Sequence, residues 1–344
     1  MFPTATELPT TMSFSPPLSV LDLAPISTGS DAGTAVTASV ALAKRAEELG
    51  FNRYWVAEHH NMPGIASSAP TVLIARLAAA TEHIRVGSGG VMLPNHPPLV
   101  VAEQFGLLTA MFPDRIDLGI GRAPGTDPVT AAALRRSANG LSAEDFPQQL
   151  GELRAYFAGQ DGMPAAIPAA GNAPPLWLLG SSGYSAKVAG VLGLPFAFAH
   201  HFSARNTLPA LRLYRENFRP SEALARPHAM VAASVICAPS AERARYLAGS
   251  SMLSFLRLRQ GKPSTLPSPE EAAAYPYTDA EHAVAADRAD GAIVGDPDDV
   301  RTGIRRLLAD TQADELMVTT MVHDPADRLV SYELLADALS HPPQ

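Results

Sequence analysis

The sequence predicts an α/β chain folded as a (β/α)8 TIM barrel with an insertion after the seventh strand. Three observations carry that expectation. Short apolar runs alternate with runs of helical period from Leu18 to the C-terminus, and eight of them read as strands, the rhythm of successive βα units. The short runs are apolar nearly throughout, as parallel strands buried on both faces must be. The turn after the first run reads Leu23-Ala24-Pro25-Ile26, without the Gly-x-Gly-x-x-Gly signature of an open, doubly wound nucleotide-binding sheet.

Leu18–Leu23 is the first strand. Thr34–Leu49 is the first helix, with Val36, Val40, Ala43 and Ala46 on one face and Gly50 as its stop. Arg53–Ala57 is strand two, Ser68–Thr81 an Ala/Leu/Ile-rich helix, and Ile84–Leu93 strand three. Pro97 then sits where a first-turn proline is tolerated, and Val101, Phe105, Leu108 and Phe112 form a helical stripe. Arg115–Ile120, Leu176–Leu179, Phe196–Ala199, Ala229–Cys237 and Glu315–Met321 are strands four to eight, with a helix over Tyr184–Leu192 between five and six.

Two stretches break the rhythm. Gly159–Pro175, rich in Gly, Pro and Ala, reads as a long connection before strand five. Gly261–Asp296 carries Pro263, Pro267, Pro269 and Pro276, and its position after strand seven, on the rim, makes it a candidate lid. Residues 1–17, rich in Pro, Thr and Ser, read as a flexible arm ahead of a single domain over 18–344.

The bulk numbers narrow the function. With 344 residues, 47% of them hydrophobic, the chain can bury a large core. A formal net charge of -8 argues against nonspecific nucleic-acid binding, which needs a basic face. No apolar run approaches the ~20 residues of a membrane span, and the N-terminus lacks the basic-then-apolar order of a secretory leader. The lone Cys237 can form no internal disulfide, which fits a reducing cytoplasm, and it reads as a small buried strand residue.

The chemistry sits where strands give way to helices, the catalytic end of such barrels. Trp55-Val56-Ala57-Glu58-His59-His60-Asn61 is an apolar strand that ends in an acid, two imidazoles and an amide. Histidine titrates near neutrality, so copies beside a carboxylate suit proton transfer or metal binding. The other strand ends add Asp22; Asn95 and His96; Gly121, Arg122 and Gly125; Gly180, Ser181 and Ser182; and His200 and His201. Leu178-Leu179-Gly180-Ser181-Ser182-Gly183-Tyr184-Ser185 is a strand, a small-residue turn and a helix start. It reads either as a phosphate cradle made of unpaired N–H groups and hydroxyls or as a serine cap. Arg122 offers the same phosphate a fixed positive charge, or makes a structural ion pair. Three glycines in Val86-Gly87-Ser88-Gly89-Gly90-Val91 call for a bulge or a flat ligand against the backbone, and a flavin ring would be such a ligand. The competing account is a two-His-one-carboxylate metal site using Glu58 with one member of each histidine pair. Consecutive histidines on extended backbone diverge to opposite faces.

Tyr54-Trp55-Val56-Ala57-Glu58-His59-His60, Arg85 to Pro94, Asp114 to Arg122, and Leu194-Pro195 together resemble, in order, the bacterial luciferase-like flavin monooxygenases. The likeness runs from about Leu18 to the C-terminal helix. Asn61 to Ser68 and Gly121 to Asp127 look like the branch that includes the mensacarcin-pathway monooxygenase. The resemblance implies a (β/α)8 barrel and FMN, arriving reduced from a separate flavin reductase. It also implies O2 as co-substrate and a small organic substrate, such as an aromatic polyketide of antibiotic biosynthesis. It makes His59 the catalytic histidine and assigns the cofactor to Glu58, Gly89, Gly90, Arg122, Gly180, Ser181, Ser182 and Tyr184, with no metal. Gly89-Gly90 falls where the family has a cis peptide beneath the ring. His60, Asn61 and His201 are expected to face the substrate, and a homodimer through helices two and three is expected. Gly121 stands where the light-emitting members carry a reactive cysteine, and Gly180 where they carry a glutamate, so light emission is not implied. The alternatives are a metal-dependent barrel hydrolase or oxygenase and a non-catalytic flavin-binding relative.

Overall fold

A computed structural model describes residues 16–123, 126–135, 145–289 and 291–340. The expected N-terminal arm lies outside the described residues up to position 15, as do Pro124 and Gly125 of the strand-four turn. Among the described residues, nine parallel strands form one sheet: β1 (Leu18–Asp22), β2 (Arg53–Val56), β3 (Arg85–Met92), β4 (Ile116–Gly121), β5 (Leu176–Gly180), β6 (Phe196–Ala199), β7 (Ala229–Cys237), β8 (Ala292–Gly295) and β9 (Glu315–Thr319). Hydrogen bonding runs β6-β5-β4-β3-β2-β1-β9-β7, and β6 pairs with β7 to close an eight-stranded barrel. The α-helices among the described residues are α1 (Ala32–Glu48), α2 (Pro70–Ala78), α3 (Pro98–Met111), α4 (Pro128–Arg135), α5 (Phe146–Ala158), α6 (Gly183–Leu192), α7 (Thr207–Asn217), α8 (Ala241–Arg259), α9 (Pro269–Ala274), α10 (Asp279–Ala289), α11 (Pro297–Thr311) and α12 (Pro325–Ser340).

Local chemistry sets the helix starts. Asp31 caps α1 through the Thr34 N–H, and Asp296 caps α11 through the N–H groups of Asp298 and Asp299. Prolines open α2, α3 and α11, where a missing N–H costs no helical bond.

One expectation holds and one needs correction. Gly159–Pro175 is the irregular connection before β5 that its Gly, Pro and Ala content predicts, reached after α4 and α5. The stretch after strand seven folds as α9, α10 and a ninth strand. In that strand, Ala292–Gly295 pairs with Ser234–Cys237 of β7, beyond the point where β7 leaves β9. Proline at the first turn of α9, with Ser268 accepting from the Glu271 N–H, starts a helix where proline content suggested a loop.

Inward and outward side chains alternate along the strands, as the two-residue period of extended backbone requires. One set packs the helices against the barrel, with Tyr54, Phe105, Phe196 and Tyr332 among its fully buried members. The other fills the interior in layers. Leu21, Trp55, Trp177, Met230 and Met317 form an apolar plug, with the two indoles edge to face at 5.2 Å. Beneath it lies an ionic layer. Arg53 bridges Asp117 and Glu315, each at 2.8 Å, and Arg85 reaches Asp117 at 2.6 Å. The Trp55 indole N–H donates to Asp117 at 3.0 Å, and the Arg53 guanidinium lies 4.8 Å over the Trp177 ring.

Candidate active site

The plug leaves the C-terminal end of the barrel open, and a cavity of about 210 Å³ sits there. Its floor is apolar, from Leu21, Trp55, Ala57, Leu179, Ala197 and Met317. Gly89, Gly90, His59, Arg122, Gly180, Ser181, Ser182 and His201, all anticipated from the sequence, converge on it from β2, β3, β4, β5 and β6.

Strand β3 supplies one wall. Its register against β4 slips between Ser88 and Val91, where an extra residue makes a bulge, and the Gly89–Gly90 peptide is cis. The Ser88 hydroxyl repairs the ladder, donating to the Gly119 carbonyl at 2.9 Å and accepting from the Gly119 N–H at 3.0 Å. A side chain at Gly90 would meet fixed backbone, and one at Gly89 would displace the Leu21 side chain. A Cβ on Gly89 would lie 2.7 Å from Leu21 Cδ1, and one on Gly90 2.7 Å from the Gly119 carbonyl oxygen.

Strand β5 and α6 supply the polar end. Ser182 is the N-cap residue of α6 but makes no side-chain capping bond, so its hydroxyl is not used as a cap. Ser185, unforeseen from the sequence, is buried in the first turn and also lines the cavity. Gly180 is what lets it sit there, because a Cβ at 180 would lie 2.7 Å from Ser185 Cβ. The Arg122 guanidinium stacks 4.3 Å over the Tyr184 ring. Tyr184 is therefore behind the arginine and orients it, rather than lining the cavity as expected.

Strand parity sorts the histidines. His59 continues the inward series Arg53, Trp55, Ala57 and enters the cavity. Glu58 and His60 face the other way. Glu58, expected beside the cofactor, is fully buried under the wall of the site. It accepts from the Met92 N–H at 3.0 Å and Asn95 Nδ2 at 3.1 Å, and the Nε2 atoms of His60 and His96 are each 2.9 Å away. Burial pushes its carboxyl up, but the hydrogen bond and charge of His96, with the hydrogen bonds of His60 and Asn95, outweigh it and hold the group below its ordinary range. Glu58 thus pins the backbone of Met92, two residues past Gly90, as an ionised anchor.

His60 and Asn61, expected at the substrate, also lie elsewhere. His60 is held by Glu58, and its carbonyl accepts from Thr126 Oγ1 at 2.9 Å. Asn61 is exposed, with φ +54, and donates to Asp127 at 3.0 Å. Parity separates the second pair too. His201 enters the cavity, its Nδ1–H donating to the Ala232 carbonyl at 2.9 Å, whereas His200 turns out to Thr207 at 2.8 Å. Asp22, read as part of the polar ring, is an outward residue locked to Arg328 of α12 and to the Tyr54 hydroxyl at 2.5 Å.

The expected metal grouping is redrawn. Among the described residues, Glu58, His60 and His96 bring three candidate ligands together, not Glu58 with one member of each consecutive histidine pair. Their mutual geometry is that of two imidazoles hydrogen-bonded to one carboxylate oxygen. No helix among the described residues is long and apolar enough to cross a membrane.

A second cavity of about 560 Å³ opens above the first. The two share Leu23, His59, His201 and Phe202. Its walls come from one face of α8 (Arg245, Ala248, Met252, Phe255), from the ends of β7, β8 and β9, and from Leu266 and Tyr277 of the insertion.

A barrel with this site belongs to a recognisable class. Residues 17–315 match the family model of the luciferase-like monooxygenases, and the chain belongs to that family of enzymes. A luciferase-like monooxygenase of Escherichia coli (strain K12) is 48% identical over 321 residues, covering 93% of this chain and 96% of its own. The uncharacterised protein YvbT of Bacillus subtilis (strain 168) is 51% identical over 323 residues, 93% of this chain and 96% of its own. Among solved structures, apo-MsnO8 superposes with a TM-score of 0.87 at 40% identity, covering 95% of this chain and 99% of that one.

Proposed function

We propose that the chain is an FMN-dependent monooxygenase that inserts one oxygen atom of O2 into a small organic substrate, with reduced FMN delivered by a separate flavin reductase. The observation that carries this reading is the convergence on one cavity of a polar anion grip (Arg122, Ser181, Ser182), a side-chain-less wall (Gly89, Gly90) and an imidazole (His59). A ribityl phosphate suits the first: guanidinium, hydroxyls and the unpaired N–H groups opening α6 are its natural donors. A flat ring system suits the second, because the glycines leave bare backbone against an apolar floor. Reduced flavin, when bound, would supply the two electrons that let one oxygen atom enter the substrate while the other leaves as water.

The chain's own residues do the rest. Arg122, oriented by Tyr184, fixes the phosphate end. Glu58 holds the Met92 backbone so that the glycine wall keeps its shape. His59, where the two cavities meet, takes or gives a proton beside the reacting centre, and His201 orients the substrate. The insertion, whose Leu266, Tyr277, Ala292 and Val294 line the upper cavity, acts as the lid and keeps water from the reaction. An aromatic polyketide of antibiotic biosynthesis is the substrate class that sequence likeness favours, and the apolar upper cavity is compatible with it.

We further propose a cytoplasmic homodimer through α2 and α3, whose exposed Val72, Leu107 and Met111 form an apolar face; sedimentation equilibrium giving a monomer at micromolar concentration would remove it. The cofactor reading is tested by titrating the protein with FMN and riboflavin and by recording oxygen uptake with reduced FMN and candidate substrates. Tighter binding of FMN than of riboflavin is expected. Equal affinities, with reduced FMN oxidised at its rate in buffer, would overturn the reading.

A further inference from the structure

The upper cavity has a chemical character of its own. Its lining is mostly apolar, with Met252, Phe255, Ile236 and Met321 prominent, and among the described lining residues the one permanently charged side chain is Arg245. No aspartate or glutamate faces it there. Two other arginines of α8 are committed: Arg243 pairs with Asp327 at 3.0 Å and Arg257 with Glu271 at 2.7 Å. Arg245, one turn into α8 and exposed at the cavity edge, makes no ion pair or hydrogen bond with any described residue. The stripe Arg245, Ala248, Met252, Phe255 keeps helical spacing, so the guanidinium stands at one end of a continuous apolar surface.

A second observation concerns the polar groups of the same wall. Thr319, at the end of β9 and only 5% exposed, lines the cavity, and its buried hydroxyl has no hydrogen-bond partner. It lies in register with Ser234 of β7, a second hydroxyl in the same wall. A buried polar group without a partner is costly unless something arrives to pair with it.

We propose that Arg245 determines substrate specificity, and that the substrates are organic acids: an apolar body between α8 and the strand ends, with a carboxylate on the Arg245 guanidinium. The proposal rests on reading the upper cavity as the substrate chamber. A guanidinium presents paired donors that match a carboxylate, and a hydrogen bond to an ionised group is stronger than one to a neutral amide.

The test compares probes matched in shape and differing in charge, octanoate with octanamide and 4-phenylbutyrate with 4-phenylbutyramide. Binding is measured by calorimetry on the full chain without flavin, with FMN affinity measured in parallel. Wild type is expected to prefer each acid over its amide by about tenfold. Arg245→Gln should erase the preference, Arg245→Lys should keep part of it, and neither should change FMN affinity. Because Arg245 is exposed, neither substitution disturbs the core. Equal affinity for acid and amide in wild type, failure of all four probes to bind, or an undiminished preference in Arg245→Gln would each overturn the proposal. Loss of acid preference with tight FMN binding condemns this inference alone; acid preference without FMN binding condemns the flavin reading instead.

Discussion

At the scale of single residues, the site turns on which way a side chain leaves its strand. His59 and His201 share the parity of the barrel interior and face the cavity, while their neighbours His60 and His200 are spent on Glu58 and Thr207. Arg122 is the residue whose role is most directly measured. Removing it as Arg122→Ala should weaken FMN by tenfold or more, about the worth of a charge-assisted contact, and riboflavin hardly at all. Equal losses in a fluorescence titration would take Arg122 out of the phosphate grip. The residues that carry this site were legible in the sequence because glycine, arginine and paired serines at strand ends have few structural reasons to cluster. Glu58, His60 and Asn61 were misplaced for one reason. Proximity in sequence was read as proximity in the site, although two-residue alternation already sends Glu58 and His60 to the far side of the wall.

At the scale of elements, β3 shows how a strand can be shaped for something other than pairing. The bulge, the Ser88 hydroxyl bridging to Gly119 and the Glu58 bond to Met92 together hold bare backbone at the cavity wall. Gly90→Ala drives a Cβ to 2.7 Å from the Gly119 carbonyl oxygen, part of a neighbouring strand that cannot yield alone. It should cost about 1–3 kcal/mol of stability by urea unfolding and abolish FMN binding. A variant as stable as wild type with unchanged FMN affinity would show that the wall is not where the ring lies. The barrel strands were legible because runs such as Ala229–Cys237 are buried on both faces and leave little polar ambiguity. Strand β8 is hard to see in the sequence because Ala292–Gly295 is only four residues long and lies inside the stretch that reads as an insertion.

At the scale of the whole molecule, the barrel closes around charges as well as apolar groups. Arg53, Asp117 and Glu315 sit inside strands that read as hydrophobic, and their pairing across five strands could not be seen without the closure that brings β9 beside β1. Burial raises the Glu315 carboxyl, but the His228 imidazole 3.7 Å away and the charge and 2.8 Å hydrogen bond of Arg53 outweigh it and hold it at about 2. A carboxylate depressed in the folded state stabilises fully above its ordinary range near pH 4.5 and loses that contribution as pH falls toward 2. Wild type should therefore weaken steeply between pH 4.5 and 2. Glu315→Gln should lose about 3–5 kcal/mol at pH 7 and show a flatter acid limb; parallel limbs in thermal melts across that window would contradict the assignment.

The insertion is stitched to the barrel twice. Leu266 exchanges backbone hydrogen bonds with Ile26 and Thr28 at 2.8 and 2.9 Å, and β8 adds its ladder to the far end of β7. Residues 267–289 are thus a cassette between two fixed seams. Transplanting that stretch from a relative should alter the Tyr277 side of the upper cavity while leaving the anchor points, and the cofactor cavity beneath them, as they were.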